Sequence, residues 1–235
     1  MKKGLFILLI FCFSLTVISC GDLKEESTTT DTTAPVIAEV TAVTTPTNDS
    51  TPDYTFSSDE AGTITYGGSC SSSTSIVISG NNTITLNSLS DGTYSDCTIA
   101  IRSSTGYLSN ILTITSFIVD STAATLTEVT AVTTTNDNTP NYIFSSSEAG
   151  TITYGGSCSS STTSVTTGSN TITLVSLSEG TYSDCTITVT DTSSNSVTLN
   201  ISSFVIDTTA PTIAEVTVVT TPNTGTTPNY TFSSD

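Results

Sequence analysis

The stretch EAGTITYGGSCSSST at residues 60–74 returns without a change at residues 148–162, 88 positions later. Within it, Ile64 and Tyr66 alternate with Thr63 and Thr65, the period-two pattern of a strand with one buried face. Gly67-Gly68 then breaks the strand just before Cys70. The neighbourhood repeats too: Tyr54 returns as Tyr142 and Tyr230, Cys70 as Cys158, and Cys97 as Cys185. A fixed period of this size marks tandem copies of one folding unit.

Working outward, the same alternation recurs in Thr83-Ile84-Thr85-Leu86, Thr98-Ile99-Ala100-Ile101, Thr171-Ile172-Thr173-Leu174 and Thr186-Ile187-Thr188-Val189. One face is aliphatic and the other mostly Thr, which fits a half-buried pleated surface. No helical period appears. Turn residues such as Gly80-Asn81-Asn82 and Ser90-Asp91-Gly92 separate the strands. The spacing predicts strands over 36–43, 53–57, 63–66, 75–78, 83–86, 93–101 and 111–119. In the strand starting at Thr93, Ser95, Cys97, Ile99 and Ile101 should share the core face. About seven strands in 88 residues predict an all-β fold of tandem antiparallel β-sandwiches. The organisation expected is a signal peptide over 1–19, a polar tether over 20–33, repeats over 34–121 and 122–208, and the start of a third repeat over 209–235. The chain stops at Asp235 inside that third repeat, as an incomplete reading frame or fragment would.

Lys2 and Lys3 precede a 14-residue apolar run, Leu5 to Ile18, broken only by Ser14 and Thr16. It is short for a bilayer span of about 20 residues and suits an export signal. The run ends in Val17-Ile18-Ser19-Cys20-Gly21, which resembles the bacterial lipobox. That resemblance implies cleavage before Cys20, acylation of Cys20 and attachment of an exported protein to the membrane at the bacterial cell surface. Residues 20–33 are too polar to bury a core and read as a flexible tether.

Once residues 1–19 are removed, 21 acidic groups face only two basic ones, Lys24 and Arg102, for a net charge of −19. Nucleic acid is thereby excluded as a partner, and an anionic membrane surface is disfavoured. There is no His and no Trp. A Ser nucleophile would lack its usual base, and residues 123–207 contain no Lys or Arg either, so no catalytic residue is expected and the protein reads as a non-enzyme. Beyond Cys12 and Cys20, the four cysteines fall two per repeat at one offset. In an exported chain this reads as the disulfides Cys70–Cys97 and Cys158–Cys185, since zinc would call for CxxC spacing or His partners.

Asp31-Thr32-Thr33-Ala34-Pro35, repeated at 207–211, resembles the bacterial immunoglobulin-like repeats of large surface proteins and adhesins. So do Thr51-Pro52-Asp53-Tyr54, the Glu-Ala-Gly turn and Ser90-Asp91-Gly92-Thr93-Tyr94. The likeness covers nearly everything after residue 30. It departs from antibody-type domains in having no Trp and in placing Tyr94 three residues before Cys97. Because Cys70 follows the third strand, the bridge need not join two sheets. The resemblance implies an adhesin-type stalk or spacer. Related repeats often hold calcium between domains, which implies candidate ligands at Asp31, Glu60, Asp120, Glu148, Asp191 and Asp207. Simple surface acidity, with Asp capping turns, is the alternative. Asp191 is matched by Ser103 in the first copy, so the ligand sets are uneven. No other cofactor is expected. Two rival functions stay open: multivalent binding of a surface glycan or protein through the loops, and display of an enzymatic or ligand-binding domain lying beyond Asp235.

Overall fold

A computed structural model describes residues 31–234. The signal peptide, the acylation site Cys20 and most of the tether lie outside the described residues. The first unit contains β1 (Ile37–Thr41), β2 (Asp53–Ser58), β3 (Gly62–Gly67), β4 (Ile76–Val77), β5 (Gly80–Thr85), β6 (Gly92–Tyr94), β7 (Thr98–Ser103), β8 (Leu112–Thr113) and β9 (Phe117–Val119). The second repeats them as β10 (Leu126–Thr130), β11 (Asn141–Ser146), β12 (Gly150–Gly155), β13 (Ser164–Val165), β14 (Gly168–Thr173), β15 (Gly180–Tyr182), β16 (Thr186–Thr190), β17 (Ser196–Asn200) and β18 (Phe204–Ile206). A hairpin of β19 (Ile213–Thr217) and β20 (Thr231–Ser234) follows and repeats the β1–β2 register, bulge included.

Each unit is built from antiparallel sheets around its own core. In the first, β1-β2-β5 and β4-β3-β7-β8 enclose the core together with the β6–β9 pair. The alternation read from sequence places Tyr54 and Phe56 of β2, Ile84 of β5, Ile64 of β3 and Ile99 and Ile101 of β7 inside. The corresponding Thr residues face water. The fold class is therefore all-β, of β-sandwich type.

Two of the expected strands are corrected. Segment 93–101 is not one strand: β6 pairs with β9, whereas β7 pairs with β3 in another sheet. The chain switches sheets between Tyr94 and Thr98. Cys97 is buried but Ser95 is exposed, so they do not share a face. Segment 111–119 likewise divides into β8 and β9, with buried Ile114 at the crossing. Seven segments thus become nine strands. The switch at Tyr94 is held by its hydroxyl, which donates to the Ser90 carbonyl at 2.8 Å, and by stacking on Phe117 at 5.3 Å between ring centroids. Tyr182, Ser178 and Phe204 repeat the arrangement.

Both disulfides are formed, Cys70–Cys97 and Cys158–Cys185, each with Cα atoms 5.2 Å apart. Each ties the loop after one strand to the start of its neighbour in the same sheet, β3 to β7 and β12 to β16. Gly68 makes this approach possible. Its φ is +73°, and a side chain there would collide with the Asp96 carbonyl. A carboxylate spans each sandwich as well. Glu39 accepts from Thr115 N at 3.0 Å and Thr115 Oγ1 at 2.7 Å, and Glu128 does the same with Ser202.

Candidate functional site

The junction between the units gathers three carboxylates. Asp120 follows β9, Glu148 sits in the turn between β11 and β12, and Asp191 follows β16. One oxygen from each lies within 4.8 Å of the other two. Among the described residues this is the group of acids with metal-ligand spacing.

Asp191 is buried, at 9% exposure, because its loop folds around it. Its Oδ1 accepts from Ser193 N at 2.8 Å and Asn195 N at 2.9 Å, and its Oδ2 accepts from Asn195 Nδ2 at 3.0 Å. The same loop grips the first unit. Asn195 Nδ2 donates to the Asp120 carbonyl at 2.8 Å, and Ser193 Oγ donates to Asp120 Oδ2 at 3.0 Å. From the other side, Asn48 Nδ2 donates to the Ser194 carbonyl at 3.3 Å. Ser194 holds a left-handed φ of 74°, which turns the loop back on itself.

The neighbouring charges act on Glu148. Desolvation, followed by the negative charges of Asp120, Asp191 and Asp91, raises the Glu148 carboxyl above its ordinary value. Asp91 lies opposite the linker and accepts from Thr122 Oγ1, Ser121 Oγ and Ser121 N. Those bonds, the Thr122 one foremost, hold Asp91 below its usual value. Asp91 and its counterpart Glu179, which accepts from Thr208 and Thr209, were not singled out in the sequence. Their signal was available, an acid just before the Gly of a repeated turn. Asn195 and Ser193 left none.

The other expected ligands do not form an equal group. Thr33 Oγ1 lies 2.6 Å from Asp31 Oδ1 and 2.8 Å from Glu60 Oε1, bridging two carboxylates with one proton. The third position is Ser103, whose Oγ accepts from Tyr107 N at 3.1 Å. Asp207 accepts from Thr209 N and lines a hollow with Thr209, Ala210 and Pro211, apart from the other candidate acids. The donor set at Asp120, Glu148 and Asp191 is all hard oxygen. That chemistry suits calcium and not a soft transition metal.

No family model matches the chain, and no curated protein matches it. Solved structures that are similar include the following two. One is a tetra-tandem repeat from the extending region of a large adhesion protein, at 20% identity and TM-score 0.27, covering 86% of this chain and 62% of that one. The other is SGBP-B of the Bacteroides ovatus mixed-linkage glucan utilization locus, in complex with a mixed-linkage heptasaccharide. It aligns at 15% identity and TM-score 0.19, covering 69% of this chain and 43% of that one. Similarity this low carries no argument about function, and the fold rests on the sheets described above.

Proposed function

We propose that the chain is a non-enzymatic spacer of the bacterial cell surface, attached to the membrane through acylated Cys20. Stapled sandwiches in series carry whatever they bear away from the membrane. The observation that carries this reading is the junction, where Asn195, Ser193 and Asn48 bond the two units directly. Direct bonds of this kind limit bending between tandem units and favour an extended chain. The acidity of the surface and the lack of any His support a structural role over catalysis.

The same reading includes calcium at Asp120, Glu148 and Asp191. An ion there would neutralise the charge that strains Glu148 and would stiffen the junction. Sites of extracellular modules bind calcium with Kd on the order of 10⁻⁴–10⁻³ M. At 10 mM calcium, such a site with Kd near 1 mM stabilises the folded junction by about 1.4 kcal/mol. Small-angle scattering of the exported chain, with chelator and then with calcium, tests both parts. The expected profile is extended in each condition and less flexible with calcium. Two units tumbling independently in both conditions would remove the spacer reading. An extended profile with no calcium-linked rise in Tm would remove only the ion.

A further inference from the structure

The outer face of the β4-β3-β7-β8 sheet changes its chemistry from one end to the other. Strand register sets the outward residues in rows. Ala61 precedes Gly62, the partner of Val77, so Ala61 and Ile78 stand side by side at one end. The next row runs Ile76, Thr63, Arg102 and Leu108 across the sheet. Ile111 precedes Leu112, the partner of Ile99, so the row after that holds Thr65, Ala100 and Ile111. The last row holds Gly67, Thr98 and Thr113. Ile76 is 74% exposed, Ile111 72%, Ile78 63% and Leu108 54%. The large aliphatic side chains thus gather at one end of the face and stop short of the other.

That end is where the chain enters the first unit. Thr33 Oγ1 donates to Glu60 Oε1 at 2.8 Å, and Val36 N donates to Asp59 Oδ1 at 2.7 Å. The incoming segment is therefore fastened to the turn that leads into Ala61. In the second unit, Thr166, Ser164, Thr190, Ser196 and Thr198 replace Ile78, Ile76, Arg102, Leu108 and Ile111. Thr188 bonds Thr198 and Thr190 bonds Ser196, each at 2.8 Å. Water-facing hydroxyls suffice to build this sheet. The aliphatic version is confined to the unit nearer Cys20 along the chain, and to the end of it where the segment from Cys20 arrives.

We propose that this patch of the first unit rests on the lipid surface that holds the acyl anchor, an inference that builds on acylation of Cys20. Ten residues separate Cys20 from Asp31, and whatever their path they span at most about 40 Å. The patch is thereby held within reach of the bilayer. A contact too weak for a free protein is then favoured by the local concentration that an anchor imposes. The side chains suit the boundary between headgroups and acyl chains. Ile76, Ile78, Leu108 and Ile111 supply the apolar contact. Tyr107, 42% exposed beside them, is of a residue type that settles at headgroup level. Arg102 is the one cation among the described residues. Its guanidinium donates to the Gly106 carbonyl at 3.0 Å and keeps donors for a lipid phosphate. The headgroups are zwitterionic, because a net charge of −19 is repelled by an anionic surface. Contact at this patch would set the direction in which the sandwiches leave the membrane.

The exported chain from Cys20 onward has one thiol outside the two bridges, so it can be coupled through Cys20 to a maleimide lipid in phosphatidylcholine vesicles. The chain has no Trp, so a single introduced indole reports its own surroundings. Ile76→Trp and Ser164→Trp place one at matching exposed positions of the two units. Brominated phosphatidylcholine should quench the first at least threefold more strongly than the second. Adding Ile78→Thr, Leu108→Ser and Ile111→Thr installs residues that the second unit already uses. With Tm unchanged, this should bring quenching in the first unit down to the level of the second. Equal quenching at the two positions would overturn the proposal, and so would a difference that survives the triple change. An unmodified Cys20 in protein taken from cells, read by mass spectrometry, would instead overturn the anchor reading and this inference with it.

Discussion

The two units share their strand register, and one hairpin, β7–β8 against β16–β17, sets them apart most clearly. The copies are 89 residues apart across β1 and β10, 88 apart from Thr47 to Cys97 and 87 apart from Phe117 onward, so the first unit has one extra residue between β1 and β2 and another between β7 and β9. In the second unit β16 and β17 pair over five positions. In the first, Ser109 N bonds the Ile101 carbonyl while Ser109 Oγ accepts from Ile101 N, and β8 shrinks to two residues. The residue that follows, Asn110, bonds both N and O of Ile37 on β1. The preceding loops keep one backbone shape: Ser103 N bonds the Tyr107 carbonyl just as Asp191 N bonds the Asn195 carbonyl. Gly106 supplies the left-handed position in one, and Ser194 in the other. One scaffold loop therefore serves two different settings. Side chains alone make the second copy a clasp on its neighbour, whereas the first makes no such clasp among the described residues.

The largest expected effect tests where the units are alike. Replacing both cysteines of either bridge by Ser opens a loop with a sequence separation of 27. In the chain-entropy model that costs about 3.5 kcal/mol. Hydrogen exchange of peptides from each unit should show the same loss for Cys70→Ser/Cys97→Ser as for Cys158→Ser/Cys185→Ser. Unequal losses would mean that the junction, and not the unit, sets stability.

Next comes the residue at which the loops diverge. Asp191→Ser gives the second unit the residue of the first and removes three charge-assisted hydrogen bonds. Bonds to charged groups are worth roughly 1.5–3 kcal/mol each in isolation, but they share one loop, so a total near 2 kcal/mol is expected. Exchange protection should fall in residues 191–195 and at Asp120, and any calcium response should vanish. The reverse change, Ser103→Asp, adds a third carboxylate to Asp31 and Glu60 and should give the first unit a calcium response of its own. Isothermal titration of both variants reads the outcome.

Glu148→Gln is expected to have a smaller effect of opposite sign. The folded carboxyl sits above its unfolded value near 4.5, so the folded state holds that proton more tightly. Its favourable contribution is complete below about pH 4.5 and is lost as pH rises through the folded value. In chelator, the variant should therefore match the parent near pH 4 and melt slightly higher at pH 7. Calcium should reverse that order. A variant less stable than the parent at pH 7 in chelator would show that Glu148 is not repelled.

Alternation made the sandwich legible, because Thr and Ile mark the two faces of a pleat directly. The cysteine offset made the bridges legible in the same way. The sheet switches were not, since the alternation runs on through Ser95-Asp96-Cys97 while the backbone turns away. Asp120, Glu148 and Asp191 could be suspected from the repeat, but their meeting depends on Asn195 and Ser193, whose roles come from a loop shape that side-chain type does not encode. The outer patch needed register as well. Thr63, Ile76 and Arg102 are far apart in sequence, and only strand pairing sets them side by side.

The smallest effect concerns a feature that the units share. The Tyr54 and Tyr142 hydroxyls are buried with no partner that meets hydrogen-bond geometry. Burial first, and then the charges of Glu39 and Glu128, push both phenols far above their ordinary value. Burial would raise the two carboxyls as well, but bonds from Thr115 and Ser202 outweigh it and hold them low, with the tyrosines contributing. Each Tyr–Glu contact is thus close enough to act through charge while short of a formed bond. An unsatisfied buried hydroxyl costs about 1–3 kcal/mol, and losing a formed bond costs a similar amount in the opposite direction. Tyr54→Phe and Tyr142→Phe should accordingly leave Tm unchanged or raise it slightly, and equally in both units, since the ring still fills its place. A fall of several degrees in either would show that the hydroxyl reaches its carboxylate in solution, and that Glu39 and Glu128 are tied to the core as firmly as they are to the β8–β9 and β17–β18 turns.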